Sequence, residues 1–156
     1  MTLQKRRRIE SKTDYKARLA LIKSGIPRLA IRKTNKYIIV QFIISDSAQD
    51  KIIASSLSKD LISKGWPSEQ AGSLKSLSAA YLTGYMLAKK VLGKYKEAIL
   101  DIGLHRSIPK SRIYSALKGA IDAGLKIAHN PKVLPSEEEL SNIKSWKLAE
   151  KVKEKL

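Results

Sequence analysis

PRLAIRKTNKYIIVQFII, residues 27–44, alternates as a pair of strands does. Side chains along an extended chain point to opposite faces with a period of two. Leu29 and Ile31 therefore share one face, and Arg28, Ala30 and Arg32 the other. Thr34, Asn35 and Lys36 interrupt the pattern as a short turn, where asparagine tolerates left-handed backbone. The pattern then resumes in β-branched and aromatic residues. Ile38, Val40, Phe42 and Ile44 fall on one face; Tyr37, Ile39, Gln41 and Ile43 fall on the opposite one. Pro27 keeps Ile26 out of helical geometry, so the pair begins here.

The neighbouring segments extend this hairpin. Residues 45–50 are polar and turn-like, and 51–57 read as a third strand, giving an antiparallel meander. From 76 to 95 the period becomes helical: Ala80, Tyr81, Gly84, Tyr85, Leu87, Ala88, Val91 and Leu92 form a broad apolar stripe. Gly84 and Ala88 suit close packing on a sheet. The run 98–102 predicts a buried strand. Residues 111–126 predict a helix ending near Gly124, and 136–155 a tail helix opened by Ser136 and three acids. Before the hairpin, 13–24 predicts a short helix with Thr13 as N-cap and Gly25 as stop, and 1–12 an extended arm, disordered when free. The expected fold class is α/β: a mixed sheet (the antiparallel meander plus one further strand) covered by helices on one face, with a basic N-terminal arm and a C-terminal helix. We expect three parts: arm and short helix over 1–26, an α/β RNA-binding domain over 27–130, and a helical tail over 131–156.

Charge points to the partner. The chain has 156 residues, with 31 Lys and Arg against 14 Asp and Glu, a net charge of +17. Residues 1–36 hold twelve bases and two acids, more than half of that excess; residues 137–156 are neutral. Such a concentration repels itself unless a polyanion neutralises it. Nucleic acid is the first candidate and an anionic membrane surface the second. If helices cover one sheet face, the other presents Arg28, Arg32, Tyr37 and Gln41. Arginine forks onto phosphates, tyrosine stacks on bases, and glutamine reads base edges or sugar hydroxyls.

Other chemistries lack their residues. Without cysteine there is no disulfide scaffold, Cys-ligated zinc or thiol nucleophile. No apolar run approaches the roughly 20 residues of a membrane span, and the basic N-terminus lacks the apolar stretch of a secretory signal. His105 and His129 match no metal-ligand spacing. No phosphate-cradling glycine loop is present. Asp101 faintly resembles a strand carboxylate of a ribonuclease-H-like nuclease, but such chemistry needs several converging carboxylates; a turn or capping role is expected. Trp66 is expected to pack a loop. We expect no enzyme activity, no cofactor, no metal and no small-molecule substrate.

The hairpin motif Pro27-Arg28-Leu29-Ala30-Ile31-Arg32-Lys33-Thr34-Asn35-Lys36-Tyr37-Ile38, with Gln41, resembles the signature of a universal large-subunit ribosomal protein family, number eighteen in bacterial numbering. Residues 12–18 (KTDYKAR), 79–84 (AAYLTG), 100–104 (LDIGL) and 116–125 (ALKGAIDAGL) resemble its archaeal and eukaryotic branch, in the same order. The resemblance implies an α/β fold and binding of 5S rRNA. It also implies contacts with large-subunit rRNA in the central protuberance, and a second 5S-rRNA-binding ribosomal protein and other protuberance proteins as partners. A cytoplasmic location in the large subunit follows. Eukaryotic members carry long insertions and a longer C-terminal extension; this chain is compact, so roles tied to those do not transfer. A free RNA-binding regulator is the alternative. The expected RNA contacts are Lys5, Arg6, Arg7, Arg8, Lys12, Lys16 and Arg18 in the arm. On the hairpin they are Arg28, Arg32, Lys33, Thr34, Asn35, Lys36, Tyr37 and Gln41. In the loop after the fourth strand they are His105, Arg106, Lys110 and Arg112.

Overall fold

The computed structural model of the protein describes residues 6–46 and 49–156, with the Arg8 side chain outside the described atoms. The hairpin forms as its alternation requires: β1 (Arg28–Lys33) pairs antiparallel with β2 (Ile38–Asp46), and β2 with β3 (Gln49–Leu57). Strand pairing continues to Asp46 and Gln49, so the expected turn over 45–50 is shorter than its polar composition implied. A register shift between Phe42 and Ile43 inserts Ile53 as an extra residue in β3.

The fourth strand, β4 (Glu97–Asp101), adds to the free edge of β1 in parallel, and β5 (Lys126–Ile127) adds in parallel to β4. The sheet order is β3-β2-β1-β4-β5, which places the first strand in the middle. Two residues carry too little pattern for β5 to be legible in sequence.

The helices are α1 (Arg6–Ile9), α2 (Tyr15–Lys23), α3 (Leu77–Val91), α4 (Arg112–Asp122), α5 (Glu137–Ser141) and α6 (Trp146–Lys153). Arg6–Ile9 is one helical turn rather than extended chain, closed by an Arg6–Glu10 ion pair at 2.8 Å. Asp14, not Thr13, caps α2: its carboxylate accepts from the Lys16 and Ala17 amides, both at 3.0 Å. Asp and Thr are both good caps, and the charged oxygen reaches two donors.

Helices α3 and α4 cover one sheet face. Leu29, Ile31, Ile38, Val40 and Phe42 meet Ala80, Leu87, Ala88 and Val91 of α3 and Ile113, Ala116, Leu117 and Ala120 of α4. Gly84 does not face the sheet as expected. A Cβ there would collide with the Ala116 carbonyl of α4, and a Cβ on Gly119 would collide with the Tyr81 carbonyl of α3. The two glycines let the helix backbones touch.

A second core lies on the outer side of α3. Residues 58–75 form two 3-10 segments, which supply Leu61 and Leu74, joined by a link that supplies Trp66, and the tail supplies Leu140, Ala149 and Val152. Trp66 is buried here, as expected of a loop-packing residue. The expected single tail helix is broken between Ser141 and Trp146. Leu140 and Ala149 are nine residues apart, about 180° around a straight helix at 3.6 residues per turn. Both enter one core only if the helix breaks. The capped start holds: Ser136 and Glu139 exchange hydrogen bonds as a capping box.

Candidate nucleic-acid interface

The uncovered sheet face carries an ionic chain. Register places Arg28 opposite Ile43, Ala30 opposite Gln41 and Arg32 opposite Ile39, with Ala30 beside Asp101 of β4. The Asp101 carboxylate accepts from Arg28 at 2.9 Å and from Arg32 at 2.8 Å. Arg28 reaches on to Asp50 at 2.6 Å and Ser45 at 3.1 Å, and Asp50 also holds Arg18 of α2 at 2.7 Å. Arg28 is only 4% exposed. A phosphate would have to displace two carboxylates to reach it, so its geometry is that of a structural arginine. Arg32 is half-buried and further held by the Asp101 carbonyl at 2.6 Å. Asp101 also accepts from the Gly103 amide, the turn role expected of it. Burial opposes ionisation of Asp50, but the Ser45 hydroxyl and the Arg28 and Arg18 guanidiniums outweigh it and lower its pKa.

The other candidates separate into two regions. In the arm, Lys5 and the Arg8 side chain lie outside the described residues. Arg7, Lys12 and Lys16 are exposed. Arg6 and Lys12 share Glu10, which their hydrogen bonds hold below its ordinary pKa. Helix α2 buries no residue.

At the opposite end of β1, the β1–β2 turn meets the β4–α4 loop. Lys33, Thr34, Asn35 and Lys36 are exposed. Thr34 spends its hydroxyl on the turn, bonding the Tyr37 amide and carbonyl. Tyr37 is half-buried and packs against the second core, while Gln41 is half-buried on the open face. The Lys33 amide donates to His105 Nε2 at 3.0 Å, joining turn and loop. Lys33, His105, Arg106 and Arg112 then line one cavity. Lys110 stands apart, paired with Glu139 of the tail. This end lies beyond the carboxyl ends of two parallel strands, the usual place for a ligand in an α/β sheet.

His105 yields one expected result. Burial, and then Arg32 and Lys33, lower its pKa from 6.5. Its stabilising tie is therefore complete above that value and is lost as pH falls through the lower folded value. Urea unfolding at stepped pH should show stability declining below pH 6.5. His105→Asn should remove that part of the slope; an unchanged slope would deny His105 the role.

Sequence reasoning missed Asp50 and Asp101 as anchors, and Leu77, Ile108 and Ser111 as walls of the cavity. The available signal was Arg28 itself: a cation entering an apolar strand needs an anion somewhere. Among the described residues, no cluster of three or more His, Cys, Asp or Glu could hold a metal ion. Asp122 accepts from Tyr81 at 2.9 Å and so has its own partner, separate from the arginines on Asp101.

Comparison with known proteins decides the family. A sequence profile described as ribosomal large subunit proteins 60S L5 and 50S L18 matches residues 1–98 and 93–130. The chain belongs to this family. Relatives named large ribosomal subunit protein uL18 agree over most of the length. That of Korarchaeum cryptofilum is 49% identical, the match covering 96% of this chain and 75% of the relative. Those of Aeropyrum pernix and Methanoculleus marisnigri are 44% and 47% identical over 96% and 86% of the chain. The match covers 69% and 75% of those relatives. The L5/L18 family is one of ribosomal proteins rather than of enzymes. Among the described residues, no helix is long and apolar enough to cross a membrane.

Proposed function

We propose that the chain is a structural constituent of the large ribosomal subunit, in the cytoplasm, that binds 5S rRNA and helps attach it to large-subunit rRNA in the central protuberance. A second 5S-rRNA-binding protein and other protuberance proteins would be its neighbours. The observation that carries this reading is charge placed where a family of ribosomal proteins can use it. The arm exposes Arg7, Lys12 and Lys16, and the turn and loop expose Lys33, Lys36 and Arg106. Phosphate contacts position a protein on RNA, whereas pre-ordered groups discriminate shape. The arm therefore supplies affinity, and the turn-and-loop end, with Arg32 and Gln41 beside it, supplies discrimination. Arg28 is left out of this interface, and Tyr37 serves the core.

The test is recovery of a 5S-sized RNA with the purified chain and co-sedimentation with large subunits. Affinity for 5S rRNA should fall steeply with salt. Six single-strand phosphate contacts give a slope of about −4 in log affinity against log salt. A slope shallower than about −1 would sink the electrostatic reading on the same rule. Deleting 1–12 should weaken 5S and an unrelated RNA of equal length alike. Gln41→Ala should weaken 5S more; the opposite pattern would reverse the assignment of roles.

A further inference from the structure

We propose that the cavity beneath the β4–α4 loop is a mononucleotide pocket, seating one unstacked base of a bound RNA with its phosphate at the rim. The inference rests on the RNA-binding reading and deepens it.

The cavity measures about 430 Å³, within the range of roughly 300–1,000 Å³ typical of small-ligand pockets. Leu77, Ile108 and Ile113 give it an apolar wall, and Lys33, Arg106 and Arg112 give it cations; no lining residue is acidic. The contrast with the arginines that are spent on internal carboxylates is the central observation. Arg6, Arg18, Arg28 and Arg32 each meet a carboxylate. Among the described residues, the side chains of Lys33, Arg106 and Arg112 meet none. Arg112 is half-buried, so its charge is partly desolvated without compensation. Ser111, the N-cap of α4, makes no capping bond, and its buried hydroxyl has no partner. The cavity also receives Ser76, the N-cap of α3, so two helix N-termini add positive potential.

Cations alone would suit any phosphate on a flat surface. The apolar wall adds a requirement for a flat apolar group next to the anion, and Ile108 stays 50% exposed at its mouth. An unpaired base with its own phosphate meets both demands, because single-stranded RNA is read by stacking as well as by charge.

The experiment titrates the full chain with 5′-AMP, adenosine, inorganic phosphate and N-acetylglutamate, following backbone amide resonances. AMP should saturably shift Leu77, Ser111 and Ile113, and bind more tightly than adenosine or phosphate alone. Arg106→Ala and Ile108→Asp, both at exposed positions, should each weaken AMP by at least about tenfold. A single-stranded RNA oligonucleotide should compete for the same amides and bind more tightly than AMP. The proposal is overturned if AMP shifts these amides no more than phosphate does, or if N-acetylglutamate binds better, which would mark a protein carboxylate site. It is equally overturned if RNA fails to displace AMP, which would mark a free-nucleotide site. Wild-type binding to 5S rRNA is measured separately: its loss sinks the proposed function, whereas its persistence alongside a silent cavity sinks only this inference.

Discussion

Asp101→Ala is expected to destabilise the fold by about 3–5 kcal/mol, the usual cost of removing one partner from a buried ion pair. The Asp101 and Arg28 side chains are 8% and 5% exposed. With Asp101 gone, Arg28 keeps Asp50 and Ser45 but leaves donors buried without acceptors, and its Nε already lacks one. Arg32 loses its carboxylate as well. Thermal unfolding should drop by roughly 10 °C at the ~2–4 °C per kcal/mol of a chain this size. The decisive comparison is the double variant. Arg28→Met removes the stranded charge and keeps its bulk, so Asp101→Ala with Arg28→Met should be more stable than Asp101→Ala alone. If the double variant were less stable by the sum of the two single losses, the pair would not be coupled and this account would fail.

Gly84→Ala is expected to cost about 3 kcal/mol, at the upper end of what overpacking a core costs. The obstacle is backbone: the added methyl would overlap the Ala116 carbonyl, which α4 cannot withdraw without moving away from α3. Gly119→Ala meets the reciprocal obstacle at Tyr81. The two substitutions should be less than additive, because the first already separates the helices. Gly72→Ala and Gly93→Ala are the controls; a Cβ at either meets nothing within 4 Å. Urea denaturation of the four variants checks this, and an effect at Gly84 no larger than at Gly72 would refute the close-contact reading.

What sequence could show follows from the range of the interactions. The β1–β2–β3 meander was legible because alternation is local and each strand sees its neighbour within a few residues. Helix α3 was legible in extent but not in direction: its stripe is so broad that periodicity could not say whether Gly84 met sheet or helix. The tail break was illegible because it is imposed by a core that needs Leu140 and Ala149 together. For the candidate site, charge totals predicted an electropositive surface but not which cations are spent internally. Arg28 and Arg106 look alike in sequence. Only the fold brings Asp101 to the first and leaves the second without a carboxylate.

The central position of β1 also sets a timetable for synthesis. Its second neighbour, β4, includes Asp101, 73 residues after Arg28. At about 5–20 residues per second on the ribosome, that strand emerges some 4–15 s after β1. Throughout that interval the meander can pair internally, while one edge of β1 shows unmatched amides and carbonyls, the kind of edge that recruits wrong strands. A twelve-base, two-acid stretch occupies the first 36 residues, so nascent chains already repel one another when that window opens. The charged front is therefore expected to keep copies of the chain apart while that edge is open, until β4 arrives to close it.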